Sequence, residues 1–235
     1  MSNELTNTNT QLAPVVPGID IQGLEDVPVS IIPIPWVRLV QPTSKDTANS
    51  DGKDADSGSY LYKDTKEEVK ELRFALIKAK ITVVDFGKDG EQDLKKRLNV
   101  LGYDLDRERL FILPLSVMSF SNFGSLIAQF KQAKVKNSWE YEVSTISTKE
   151  ENDKGKYYVA NFRLGKKLDS KLIIELEKQY QGYGIALDRN LAEEDKEAQE
   201  TQQNAEQVFN SEPAEQVDES RPNGNEEVKD QDLPF

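Results

Sequence analysis

From Leu191 onward the chain holds almost no large apolar residues and shows no hydrophobic period, while Glu, Gln and Asn are abundant. Such a segment cannot bury enough apolar surface to offset the entropy lost on ordering, so 191–235 is expected to be a disordered acidic tail. Residues 1–26, polar and rich in Pro, Asn and Thr, are expected to form a flexible N-terminal arm. The core must therefore come from 27–190, a length suited to one medium domain. A hydrophobic fraction of 37 % and a mean hydropathy of −0.66 fit a folded centre diluted by polar ends.

Charge divides along the same lines. The net charge is −12, but 191–235 carries 14 acids and 3 bases, and 1–57 carries 8 acids and 3 bases. The centre, 58–190, has 20 acids and 24 bases. A mildly basic core between acidic ends is a pattern found in nucleic-acid binders, although solvated surface with solubilising tails gives the same split. No cysteine and no histidine occurs. That removes disulfides, zinc sites built on those residues, a cysteine nucleophile and a histidine general base, and no cofactor is expected. With most routes to chemistry closed, a binding protein rather than an enzyme is expected. There is no apolar run long enough for a membrane helix and no signal-peptide start, so a cytoplasmic protein is expected.

Within 27–190 the hydrophobic pattern predicts an α+β domain, mainly antiparallel β, with an OB-like barrel and added helices as the specific expectation. Trp36 to Val40 reads as a strand, 43–59 as a long flexible loop, and 71–86 as one long strand or two joined at a bend. Residues 91–100 suit a short helix, and 111–117 a strand interrupted by Pro114. Phe123, Leu126, Ile127 and Phe130 form a helical stripe with Ser121 as the candidate N-cap. Alternation over 139–146 and 156–164 predicts a hairpin. Asp169 can cap a helix whose apolar face is Leu172, Ile173, Leu176 and Tyr180 and which is expected to end near Gly182-Tyr183-Gly184.

The last four residues are Asp232, Leu233, Pro234 and Phe235, preceded by Asp230. This end resembles the C-terminus of bacterial single-stranded-DNA-binding proteins, whose acidic tail ends in acidic residues followed by Ile-Pro-Phe or Leu-Pro-Phe. At average residue frequencies such an ending arises by chance in about one chain in 10⁵. The resemblance implies binding of replication, recombination and repair proteins through Asp230, Asp232, Leu233, Pro234 and Phe235. The chemistry suits it: the ring enters a pocket, the carboxylates meet a basic rim, and Pro234 limits the entropy lost. The folded part does not resemble the bacterial protein, which points to a phage- or plasmid-type counterpart acting in a bacterial cell. Two further elements, Gln41-Pro42-Thr43-Ser44 and Gly155-Lys156-Tyr157-Tyr158, resemble segments of phage proteins of unassigned function.

Single-strand binding needs a basic track and aromatic faces. The densest basic stretch, 131–171, has ten bases against six acids. It supplies the candidate DNA-binding residues Lys131, Lys134, Lys136, Lys156, Arg163, Lys166 and Lys167, with Tyr157, Trp139 and Tyr141 as candidate stacking rings; the last two suit a core equally well. A second basic set is Arg73, Lys78 and Lys80. A regular strand puts Arg73 opposite the lysines, and a bulge would change that. Small DNA-coating domains often assemble so that several grooves cooperate, which makes a homo-oligomer an expected form without fixing its size. The competing readings are an annealing or recombination mediator, an adaptor that titrates tip-binding host proteins without touching DNA, and a Mg²⁺-dependent nuclease. The nuclease would rest on Asp85, Asp89, Asp104 and Asp106, loosely spaced for a metal site.

Overall fold

The computed structural model describes residues 31, 33–85, 93–153 and 155–210, with 195–210 described by their backbone alone. The arm 1–26 and the tip residues Asp230, Asp232, Leu233, Pro234 and Phe235 lie outside the described residues. The chain divides into two compact units, Met1–Asp195 and Lys196–Phe235.

The architecture is α+β with mostly antiparallel strands in two sheets. The first sheet joins β1 (Val37–Leu39), β2 (Tyr60–Tyr62) and β3 (Glu68–Val69) in that order. The second has five strands: β4 (Glu71–Asp85), β5 (Leu94–Asp104), β6 (Arg109–Ser116), β7 (Tyr141–Asn152) and β8 (Gly155–Lys167), arranged β6-β5-β4-β7-β8. Among the described residues two α-helices, α1 (Phe120–Gln132) and α2 (Ser170–Asn210), and short 3-10 turns at Val117–Ser119 and Ser138–Glu140 complete the fold. No closed barrel forms among the described residues.

Period-two alternation on both faces of the large sheet explains the layering. Leu72, Phe74, Leu98, Val100, Phe111 and Leu113 point to one side, where they bury Val37, Tyr60 and Tyr62 of the small sheet and Phe123, Leu126 and Phe130 of α1. Ala75, Ile77, Leu101, Leu110 and Ile112 point to the other and meet Leu176, Ala186, Leu187 and Leu191 of α2. The stripe on α1 is thus the core face expected, with Ile127 at its exposed margin.

Several boundaries differ from the sequence reading. Residues 94–100 are strand, because β5 alternates opposite β4 and is closed on its far side by β6. Pro114 sits inside β6 without loss because β6 is an edge strand: Ile112 N–H, two residues before it, points outward to Pro35 O (2.9 Å). The loop after β1 is an organised turn. Asn49 Oδ1 accepts Asp51 and Lys53 N–H (both 3.1 Å), and Ala55 N–H reaches Thr47 O (2.9 Å). The residue preceding α1 is Ser119, not Ser121, and it makes no side-chain cap. Asp169 does cap α2, accepting Lys171 N–H at 2.8 Å.

The largest difference is the length of α2. It passes straight through Gly182 and Gly184, both buried, and Leu191 is 3 % exposed. A Cβ on Gly184 would meet Lys78 Nζ at 3.4 Å, an ordinary contact distance. The helical backbone beyond 191 follows from its Ala, Glu, Gln and Lys content, a source of helix that apolar patterning does not register.

Candidate nucleic-acid interface

Strand β8 is an edge of the large sheet, yet its outward backbone groups are largely occupied by side chains. Gln41 Nε2 donates to Tyr158 O (2.9 Å) and Gln41 Oε1 accepts Tyr158 N–H (2.8 Å). Ala160 N–H donates to Ser119 Oγ (3.2 Å), and Asn122 Nδ2 donates to Ala160 O (3.1 Å). Leu164 N–H donates to Gln129 Oε1 (2.9 Å). These contacts protect an edge that would otherwise invite strand addition, and they lock α1 along β8.

With α1 so placed, its C-terminus meets the C-terminal end of β8. Lys134, at φ 54°, closes the helix: its N–H reaches Lys131 O (3.1 Å) and Val135 N–H reaches Phe130 O (3.0 Å). Lys131, Lys134 and Lys136 are exposed around this end, where the carbonyls favour cations. Leu168 N–H to Glu140 O (2.9 Å) and the Tyr141–Lys167 register bring Lys166 and Lys167 to the same end of the strand. Lys131, Lys134, Lys136 and Lys166 have no carboxylate partner among the described residues, while Lys167 makes a loose pair with Glu140 at 3.8 Å.

The remaining candidates lie apart. Lys156 and Tyr157 open β8, about 33 Å from Lys166 at the rise of an extended strand. The Tyr157 hydroxyl donates to Glu150 (2.9 Å), and this bond raises its pKa. Arg163 projects from the sheet face opposite Phe162 and Leu164, across from Ser144 and beside exposed Ile146. The structure therefore gathers five lysines at one end of β8, leaves Lys156 and Tyr157 at the other, and sets Arg163 on the open face between.

Of the two candidate stacking rings on this segment, one is taken up by the core and the other is half-buried. Trp139 is buried, its ring 4.4 Å from that of Tyr180 on α2, so it belongs to the core. Alternation favoured this fate no less than exposure; only the position of α2 decides it. Tyr141 is half-buried and packs against the core shared by the small sheet and α1.

The second basic set is neutralised. Ile77 is an extra residue where the β4–β5 register shifts, so Lys78 and Lys80 face α2, the side on which Ala75 also packs. Arg73 pairs with Glu142 and Asp106 (both 3.0 Å), and Lys78 and Lys80 share Asp188 (3.4 and 2.8 Å). Burial opposes the shift, but the two lysines hold the Asp188 carboxyl below its usual range.

Three of the four carboxylates considered for a nuclease, Asp85, Asp104 and Asp106, make contacts within the fold. Asp104 is buried and accepts from Tyr62 Oη, Arg107 Nη1 (3.2 Å) and the Asp106 and Arg107 amides (2.8 and 3.1 Å). The Arg107 and Arg109 guanidinium groups stand 5.0 and 4.4 Å from the Tyr62 ring. Asp85 accepts Asp93 N–H (2.9 Å), and Asp89 lies outside the described residues. Among the described residues no group of three or more His, Cys, Asp or Glu is placed to hold a metal ion.

The sequence reading missed Ser119, Asn122 and Gln129. Asn122 and Gln129 are seven residues apart, hence on one helix face beside the Phe stripe, and that spacing was the available signal. No family model, no curated protein and no solved structure matches the chain. No described helix is long and apolar enough to cross a membrane.

Proposed function

We propose that this protein binds and protects single-stranded DNA in replication or recombination, and recruits partner proteins through its Asp-Leu-Pro-Phe end. The observation that carries this reading is the sequence Asp232-Leu233-Pro234-Phe235 on an acidic segment, joined to a folded unit with exposed bases along β8 and at its C-terminal end, most of them without a carboxylate partner among the described residues. Lys131, Lys134, Lys136, Lys166 and Lys167 supply phosphate contacts at one end, Arg163 the middle, and Lys156 and Tyr157 the other end. Excess acid elsewhere, including the pairs that absorb Arg73, Lys78 and Lys80, directs a polyanion to this strand.

The OB-like reading of the fold belongs to the same proposal. Segment 35–41 touches both edges of the large sheet, through Pro35 on β6 and Gln41 on β8, and this supports a barrel-like enclosure. Assembly into a homo-oligomer and action in the bacterial cytoplasm, from a phage or plasmid gene, complete the reading.

The test is titration of labelled oligo-dT and of duplex DNA with the full chain. Salt-sensitive preference for the single strand supports the proposal. Absence of DNA binding, together with capture of replication or repair proteins that is lost on deleting Phe235, would favour the adaptor reading.

A further inference from the structure

Between segment 41–43, the turn 114–119 and the start of the β7–β8 hairpin lies a cleft of about 460 Å³. That volume falls in the range of small-ligand sites, roughly 300–1,000 Å³. Gln41-Pro42-Thr43 forms one wall and Gly155-Lys156-Tyr157-Tyr158 another, so the two short elements picked out in the sequence meet across it.

We infer that this cleft holds one unstacked base of a bound single strand, with the adjoining phosphate on Lys156. The inference rests on the DNA-binding reading above and assigns it a subsite. The lining has the groups a base requires. Pro42, Tyr157 and Met118, the last 46 % exposed, line the cleft and are the residues whose faces a base could stack on. Ser119, 2 % exposed, lines the cleft and accepts Ala160 N–H through its oxygen, and a serine hydroxyl can donate as well as accept. The Thr43 hydroxyl adds a second polar contact. Lys156 is exposed and has no carboxylate partner among the described residues.

The site is also held in shape. Ser44 Oγ accepts Gln41 N–H (2.9 Å) and closes the turn, and the Gln41 amide fixes the Tyr158 backbone. The bond to Glu150 restrains the Tyr157 ring. A preformed slot loses little entropy when a base enters.

The experiment compares the full chain on a fifteen-nucleotide oligo-dT (roughly the upper end of single-strand site sizes) and on the same sugar-phosphate chain made abasic throughout. Wild type is expected to prefer oligo-dT by about tenfold or more. Met118→Ala and Tyr157→Ala are each expected to lose about fivefold or more on oligo-dT with abasic binding unchanged, while Tyr157→Phe keeps most of the preference. Lys131→Ala, remote from the cleft, is expected to weaken both ligands alike. Binding of oligo-dT by Met118→Ala and Tyr157→Ala at the wild-type level overturns the cleft assignment and leaves DNA binding standing. Failure of wild type to bind either ligand overturns both.

Discussion

Gln41 and Tyr158 stand 117 residues apart and are joined by two hydrogen bonds, the Gln41 side-chain amide pairing with both backbone groups of Tyr158 at 2.9 and 2.8 Å. A side chain here takes the place of a neighbouring strand. Gln41→Ala leaves a backbone donor and acceptor unpaired in a half-buried setting and is expected to destabilise the fold by about 1–3 kcal/mol. Gln41→Glu keeps an acceptor but loses the donor, so it should fall between. Urea denaturation of the three proteins checks the order.

Gly58 lies under the Tyr158 ring. Its φ is 91°, and a Cβ would stand 2.5 Å from Tyr158 Cε1. Gly58→Ala therefore meets both backbone strain and a clash, with an expected loss of roughly 1–3 kcal/mol. Gly52 also has a positive φ but has nothing within 4 Å of a Cβ, so Gly52→Ala should cost less. Comparing the thermal midpoints of the two variants separates clash from backbone strain.

Trp139 distinguishes a core role from a DNA-stacking one. Its ring is buried against Tyr180, so Trp139→Ala is expected to lose about 3–5 kcal/mol of stability. At temperatures where the variant stays folded, its affinity for oligo-dT should match wild type. Parallel denaturation and anisotropy measurements check both parts.

Acid should loosen the junction between the two sheets. The hydrogen bond and charge of Arg107 hold the Glu67 carboxyl below its ordinary 4.5. A carboxyl whose folded pKa is depressed binds protons more readily in the unfolded chain. Its contribution is thus complete above about pH 4.5 and is lost as pH falls through the lower folded value. Glu67→Gln should reduce stability at neutral pH and flatten the stability curve below pH 4.5, as followed by denaturant midpoints from pH 7 to pH 3.

The sequence made the β7–β8 hairpin, the long β4 strand and the apolar face of α1 legible, because each carries a recognisable period, broken in β4 at Ile77 and in the hairpin between Tyr141 and Val143. It did not reveal β2, whose Tyr60-Leu61-Tyr62 is too short to show a period and is buried throughout. It ended α2 at Gly182 and Gly184, since helix-ending glycines and buried glycines inside a helix look the same in one dimension. The lysines of the candidate interface were visible as a run of bases. Their division between the two ends of β8, and the loss of Arg73, Lys78 and Lys80 to ion pairs, depend on contacts such as Lys80 with Asp188, 108 residues away. The cleft depends on two elements whose meeting only the fold supplies.

The proposed function requires that lysines at the end of β8, without a carboxylate partner among the described residues, hold the backbone of a single strand. Its most direct test is the salt dependence of oligo-dT binding by the full chain and by a Lys131→Ala, Lys134→Ala, Lys166→Ala triple variant. Each lost phosphate contact lowers the slope of log affinity against log salt by about 0.7, so the variant should show weaker binding and a slope smaller by about two. The same affinity and slope in both proteins would contradict the claim.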